Sequence, residues 1–161
     1  MSATASRPTR AKTSGLRANA LAGVIMILIE YGLGITVNLY STLPAADRGT
    51  ALLGGVGAAV GNGPLPVALH ALLGTILLLT GIAAVVRASL IGARPLIALS
   101  GGALLATLVA WLSGSSFIGH QRNGASLAMA LAAAVAILCY VLLIFRLGAG
   151  RPTASSDRDL A

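Results

Sequence analysis

With 161 residues, 57% of them hydrophobic and only 9% charged, and a mean hydropathy of +0.90, the chain has too few polar side chains to clothe a water-soluble fold of its size. Lipid can solvate apolar side chains on every outward face, so the composition points to a membrane protein with one compact domain. A net charge of +7 would suit a nucleic-acid partner if the cations formed a face that tracked phosphates. They instead avoid the apolar segments and cluster at their ends, as membrane orientation requires, so the bilayer is the expected partner and nucleic acid is not.

In chain order, residues 1–15 are rich in Ser, Thr, Ala and basic groups and predict a disordered tail, as do 151–161. Between them lie four segments, near 18–40, 65–86, 96–118 and 126–145. Each is long enough to cross a hydrocarbon core of about 30 Å, which takes roughly 20 helical residues. Backbone groups in lipid must bond within their own segment, so the expected fold is all-α, a transmembrane four-helix bundle over 16–150. The first span is longer than the apolar core of a cleaved signal peptide and contains Glu30.

Punctuation supports the cuts. Pro64 and Pro66 open the second span and Pro95 the third, where a missing N–H costs little. Ser126 is placed to cap the fourth, and Gly148 and Gly150 to stop it. Nine of the eleven cations fall before the first span, between the second and third, or after the fourth. The positive-inside rule then puts both termini in the cytoplasm. On the other side, Ala51 to Val60 is apolar throughout but too short to span, and reads as a hydrophobic cap over the bundle mouth.

Close approach of small residues holds helices together in lipid. Gly102, Ala106, Ala110 and Gly114 form such a stripe on the third span; Ala128, Ala132 and Ala136 form another on the fourth, leading to Tyr140. These two stripes are expected to face each other. Cys139, the only cysteine, excludes an intrachain disulfide and reads as a small core residue.

Glu30 lies roughly 15 Å below the outer end of its span, where an acid costs about 2.5–3.5 kcal/mol to insert and so should face the bundle and meet a partner. Asn19, Gly23, Gly34 and Asn38 share its helical face. His70 lies roughly 8 Å below the outer end of the second span, between Glu30 and Asn38 in depth. With the first two spans antiparallel, Glu30, Asn38 and His70 form the expected intramembrane polar site. Gly74 and Gly81 continue the His70 face and leave room for a flat cofactor or for a neighbouring helix.

A four-helix membrane bundle can also hold b-type haem between axial histidines at matched depth. His120, the only other histidine, follows the third span and stands roughly 11 Å from His70 in depth. No cofactor is therefore expected, and haem with His70 as an axial ligand is the alternative. A metal site from Glu30, His70 and His120 meets the same mismatch. Ser113, Ser115 and Ser116 lie near His120 with only Asp47 as a possible orienting acid, so catalysis is not expected and Trp111 and Tyr40 read as interface or packing residues.

Glu30-Tyr31-Gly32-Leu33-Gly34 through Asn38-Leu39-Tyr40, then Asn62-Gly63-Pro64 and His70-Ala71-Leu72-Leu73-Gly74, make the chain resemble small four-span integral membrane proteins of high-GC actinobacteria. That resemblance implies a bacterial plasma-membrane bundle and carries no activity. His70 and Gly74 alone are similar to those of small haem-carrying membrane cytochromes. The resulting expectation is an accessory or small transport-type component without its own catalysis. A b-type cytochrome and a purely structural subunit of a larger membrane complex, or a homo-oligomer, are the rival readings.

Overall fold

An amide in hydrocarbon has no water to bond, so a long apolar stretch satisfies its backbone by becoming helix. In the computed structural model, residues 7–40, 52–120 and 123–149 are described, and they form an all-α bundle. Its helices are α1 (Arg7–Tyr40), α2 (Leu52–Gly61), α3 (Leu65–Ile91), α4 (Arg94–His120) and α5 (Asn123–Ala149). No strand occurs among the described residues. The four long helices are each apolar and long enough to cross a membrane. Their 27 to 34 residues give lengths of about 40–50 Å, so their ends reach beyond the hydrocarbon.

The outward faces explain the composition. Only 17% to 28% of the most apolar stretch of each span is buried inside the bundle. Leu79, Leu105, Leu131 and Phe145 each keep 60% or more of their surface exposed. A face of that kind is solvated by acyl chains, and the protein is a multi-pass integral membrane protein.

Helix ends follow local chemistry. Pro64 is the N-cap of α3, and Pro66 sits in its first turn where its missing N–H is no loss. The α3–α4 reversal is tighter than the sequence suggests: Gly92 adopts φ 79°, and its N–H reaches the Ala88 carbonyl at 3.1 Å. Two starts differ from expectation. α1 begins at Arg7, so residues 7–15 of the expected tail are helical, while 151–161 and the loop 41–51 lie outside the described residues. Ser126 is not a cap, because α5 already begins at Asn123 and carries Ser126 inside its first turns.

α1 packs on α3 and α5, and α4 packs on α3 and most extensively on α5, so the long helices form a ring in which α5 closes back on α1. α4 and α5 pack together as expected, but the glycines of the α4 stripe meet sulfur-bearing neighbours of the α5 alanine stripe. Gly102 lies against Cys139 and Gly114 against Met129, where an added methyl would stand 3.2 and 3.4 Å from the respective sulfurs. Short α2 rests on α3 and α4, with Ala59 buried.

Packing divides the bundle into two halves. Toward the end shared by the α1 N-terminus and the α3 C-terminus, Leu16, Ala20, Ala84, Ala88 and Leu143 belong to one buried cluster with Tyr140, the largest fully buried side chain. Gly23 of α1 is what admits that ring: a Cβ there would stand 2.9 Å from Tyr140 Cε2. Asn19 Nδ2 donates to the Thr80 carbonyl and Arg87 Nη1 to the Gly15 carbonyl, each at 3.0 Å, tying α1 to α3. The opposite half is not filled, and the candidate site lies there.

Candidate functional site

Glu30 is placed on the inward face of α1, one turn beyond buried Ile27, and His70 on the facing side of α3, two turns before buried Leu77. Antiparallel packing of these helices brings His70 Nδ1 to 2.7 Å from Glu30 Oε2. That is the length of a charge-assisted hydrogen bond, and a single proton between the two atoms satisfies it.

Two glycines lie at the approach, one from each helix, each four residues after its own helix's member of the pair and facing the other member. Gly34 lies beneath the imidazole, where a Cβ would stand 3.4 Å from His70 Cε1. Gly74 lies beneath the carboxylate, and a Cβ there would stand 2.8 Å from Glu30 Oε1. The space that a glycine beside a histidine clears for a flat cofactor is thus taken by the pair itself.

The pair forms part of the wall of a cavity of about 250 Å³ between α1, α3, α4 and α5, with Val56 of α2 also reaching it. Ile27, Leu77 and Ala136 are its buried apolar floor, one turn from the Tyr140 layer. Tyr31, Ile35 and Asn38 of α1 line the cavity while remaining exposed, and so mark its mouth. Glu30 retains 11% and His70 22% of side-chain accessibility, so both remain reachable from the cavity. Asn38, the third residue of the expected polar site, lines the cavity but is exposed and bonds to neither Glu30 nor His70.

The most informative wall residue missed by the sequence reading is Trp111 of α4. Its indole turns inward, and Nε1 donates to Thr75 Oγ1 of α3 at 3.3 Å, while Thr75 in turn donates to the Ala71 carbonyl at 2.8 Å. Trp111 Cδ1 and Glu30 Oε1 both lie within 4 Å of the position a Gly74 methyl would take, so indole and carboxylate belong to the same part of the wall. Thr107, Trp111 and Ser115 recur every four residues on one face of α4, and that spacing was the available signal. The hydroxyls of Thr107 and Ser115 donate to the carbonyls one turn back, at 2.8 and 3.1 Å, so neither is aimed at His70 as a nucleophile.

No group of three or more metal-ligating side chains occurs among the described residues. His120 ends α4, and its side chain lies outside the described residues. Chemically, the site offers a hydrogen-bonded acid–imidazole pair, an indole in the same wall, and a mostly apolar enclosure. Comparison with protein-family models, with curated proteins and with solved structures gave no match in any of the three.

Proposed function

We propose that the protein is a bacterial plasma-membrane component with both termini cytoplasmic, acting without catalysis of its own as a small transport-type or accessory protein whose working site is the Glu30–His70 pair. The observation that carries this reading is the accessibility of the pair. A hydrogen bond serving only to fix helix register is best packed shut, whereas these two side chains keep 11% and 22% of their surface toward a cavity. The orientation rests on charge: Lys12, Arg17, Arg87, Arg94 and Arg146 gather at the end opposite the cavity mouth. The bacterial inner membrane rests on the resemblance to actinobacterial four-span proteins.

Proteoliposomes with an entrapped pH dye test the reading. Wild-type protein is expected to move protons down an imposed gradient, and Glu30→Gln to fold normally and lose that movement. Undiminished movement in folded Glu30→Gln overturns it. Loss of folding in both Glu30→Gln and His70→Gln assigns the pair a structural role, as in a subunit of a larger complex.

A b-type haem is the second reading, favoured by one feature: a histidine whose Nδ1 is held by a carboxylate is how ligating imidazoles are commonly oriented. The glycine clearances filled by the pair oppose it. A Soret band in the purified protein that disappears in His70→Ala would support haem.

A further inference from the structure

The cavity has one carboxylate, two aromatic side chains and an otherwise mostly apolar wall, and that combination selects a ligand by charge as well as by shape. A cavity of about 150 Å³ accepts benzene, so one of about 250 Å³ has room for a body of roughly ten non-hydrogen atoms. Trp111, Glu30 and Tyr31 line the same cavity, and Trp111 Cδ1 and Glu30 Oε1 each come within 4 Å of the Gly74 methyl position. Aromatic faces attract cations, most strongly where water is excluded, and repel anions.

Resting on the transport-type reading, we propose that this cavity binds a small organic cation, an ammonium group on an apolar body, in exchange for the proton held by the Glu30–His70 pair. The exchange balances in charge. In the proposed exchange the pair starts with one exchangeable proton and is neutral overall. The ammonium arrives with its own proton and ion-pairs with Glu30 Oε1, His70 is left as neutral imidazole, and the displaced proton goes to water. Among the described residues, Tyr31 is the only other titratable side chain lining the cavity; α2, α4 and α5 contribute none. The pair is therefore the source of the proton that the exchange requires.

Calorimetry in lipid nanodiscs, with empty nanodiscs subtracted, tests this with phenethylammonium as the probe. Titration in phosphate and in Tris, buffers of different ionisation heat, counts protons. About one proton released per cation is expected, with 2-phenylethanol, the neutral analogue, at least about tenfold weaker, and phenylacetate weaker still. Glu30→Gln should lose both the proton and the preference for the cation. Gly74→Ala keeps the carboxylate but puts a methyl against Oε1, and should weaken the cation about tenfold or more even if Glu30→Gln proves too unstable to titrate. Binding without proton release, equal binding of the neutral analogue, or full affinity in Gly74→Ala overturns the proposal. If the cation fails while Glu30-dependent proton movement persists in proteoliposomes, the ligand assignment falls and the transport reading stands; loss of both removes both.

Discussion

Replacing Glu30 by Gln and His70 by Ala, singly and together, isolates what the 2.7 Å contact contributes to folding. At that separation two unit charges attract by about 6 kcal/mol for an effective dielectric constant of about 20. Removing each ion from water costs several kcal/mol, and the residual access of both side chains screens part of the attraction. The net coupling expected is about 2 kcal/mol, within the range for hydrogen bonds to charged groups and equal to roughly thirtyfold in the folding equilibrium. Neutral interhelical hydrogen bonds in membranes average about 0.6 kcal/mol and reach at most about 1.7. The size of the coupling therefore reports on the character of the bond as well as its existence. Steric-trap unfolding in bicelles gives the four free energies required. A coupling below about 0.5 kcal/mol would refute the reasoning, since two groups that share a proton at this distance cannot be energetically independent.

Other consequences follow from the same geometry. Gly23→Ala drives a methyl into the fully buried Tyr140 ring and should destabilise the bundle by about 1–3 kcal/mol, read as a lower midpoint in thermal unfolding. Gly32→Ala, where nothing lies within 4 Å, should instead leave the midpoint unchanged or raise it by the helix-propensity difference of up to about 1 kcal/mol. In a Cys139→Ala background, a membrane-impermeant maleimide applied to intact cells should label Asn62→Cys, and label Ser14→Cys only after permeabilisation; the reverse pattern inverts the proposed orientation. The visible spectrum of protein produced in a haem-replete host should lack a Soret band on the transport-type reading, and a band lost in His70→Ala would replace that reading with the cytochrome.

The spans were legible because hydrocarbon permits few solutions: a run of more than 20 apolar residues between prolines, glycines and arginines has to be a crossing helix. The encounter of Glu30 with His70 was legible too, since an acid in lipid needs a partner and few are available. What could not be read was the role of the glycines. Gly74 makes room for the Glu30 carboxylate, and Gly34 comes to lie against the imidazole, only when the two helices take one axial stagger, and no periodicity on either helix encodes that stagger. Trp111 was read as an interface or packing residue, and the structure decides for packing. Aromatic residues near span ends usually anchor at the interface, but here the rotation of α4 turns the indole toward Thr75. Asn38 shares the Glu30 face on a helical wheel, yet α1 at that height lies beside the cavity mouth, which leaves Asn38 exposed. The extension of α1 back to Arg7 reflects helix propagation past the end of the apolar run, where polarity no longer marks the boundary.

The most direct check on the account is the distance between His70 Nδ1 and the Glu30 side-chain carboxyl carbon in a lipid bilayer. Dipolar-recoupling solid-state NMR on protein labelled at those two atoms measures it. A separation of roughly 3–4 Å is predicted from the hydrogen-bonded geometry. Loss of measurable coupling, meaning a separation beyond roughly 6 Å, would show that acid and imidazole do not meet inside the bundle, and would contradict the account at its centre.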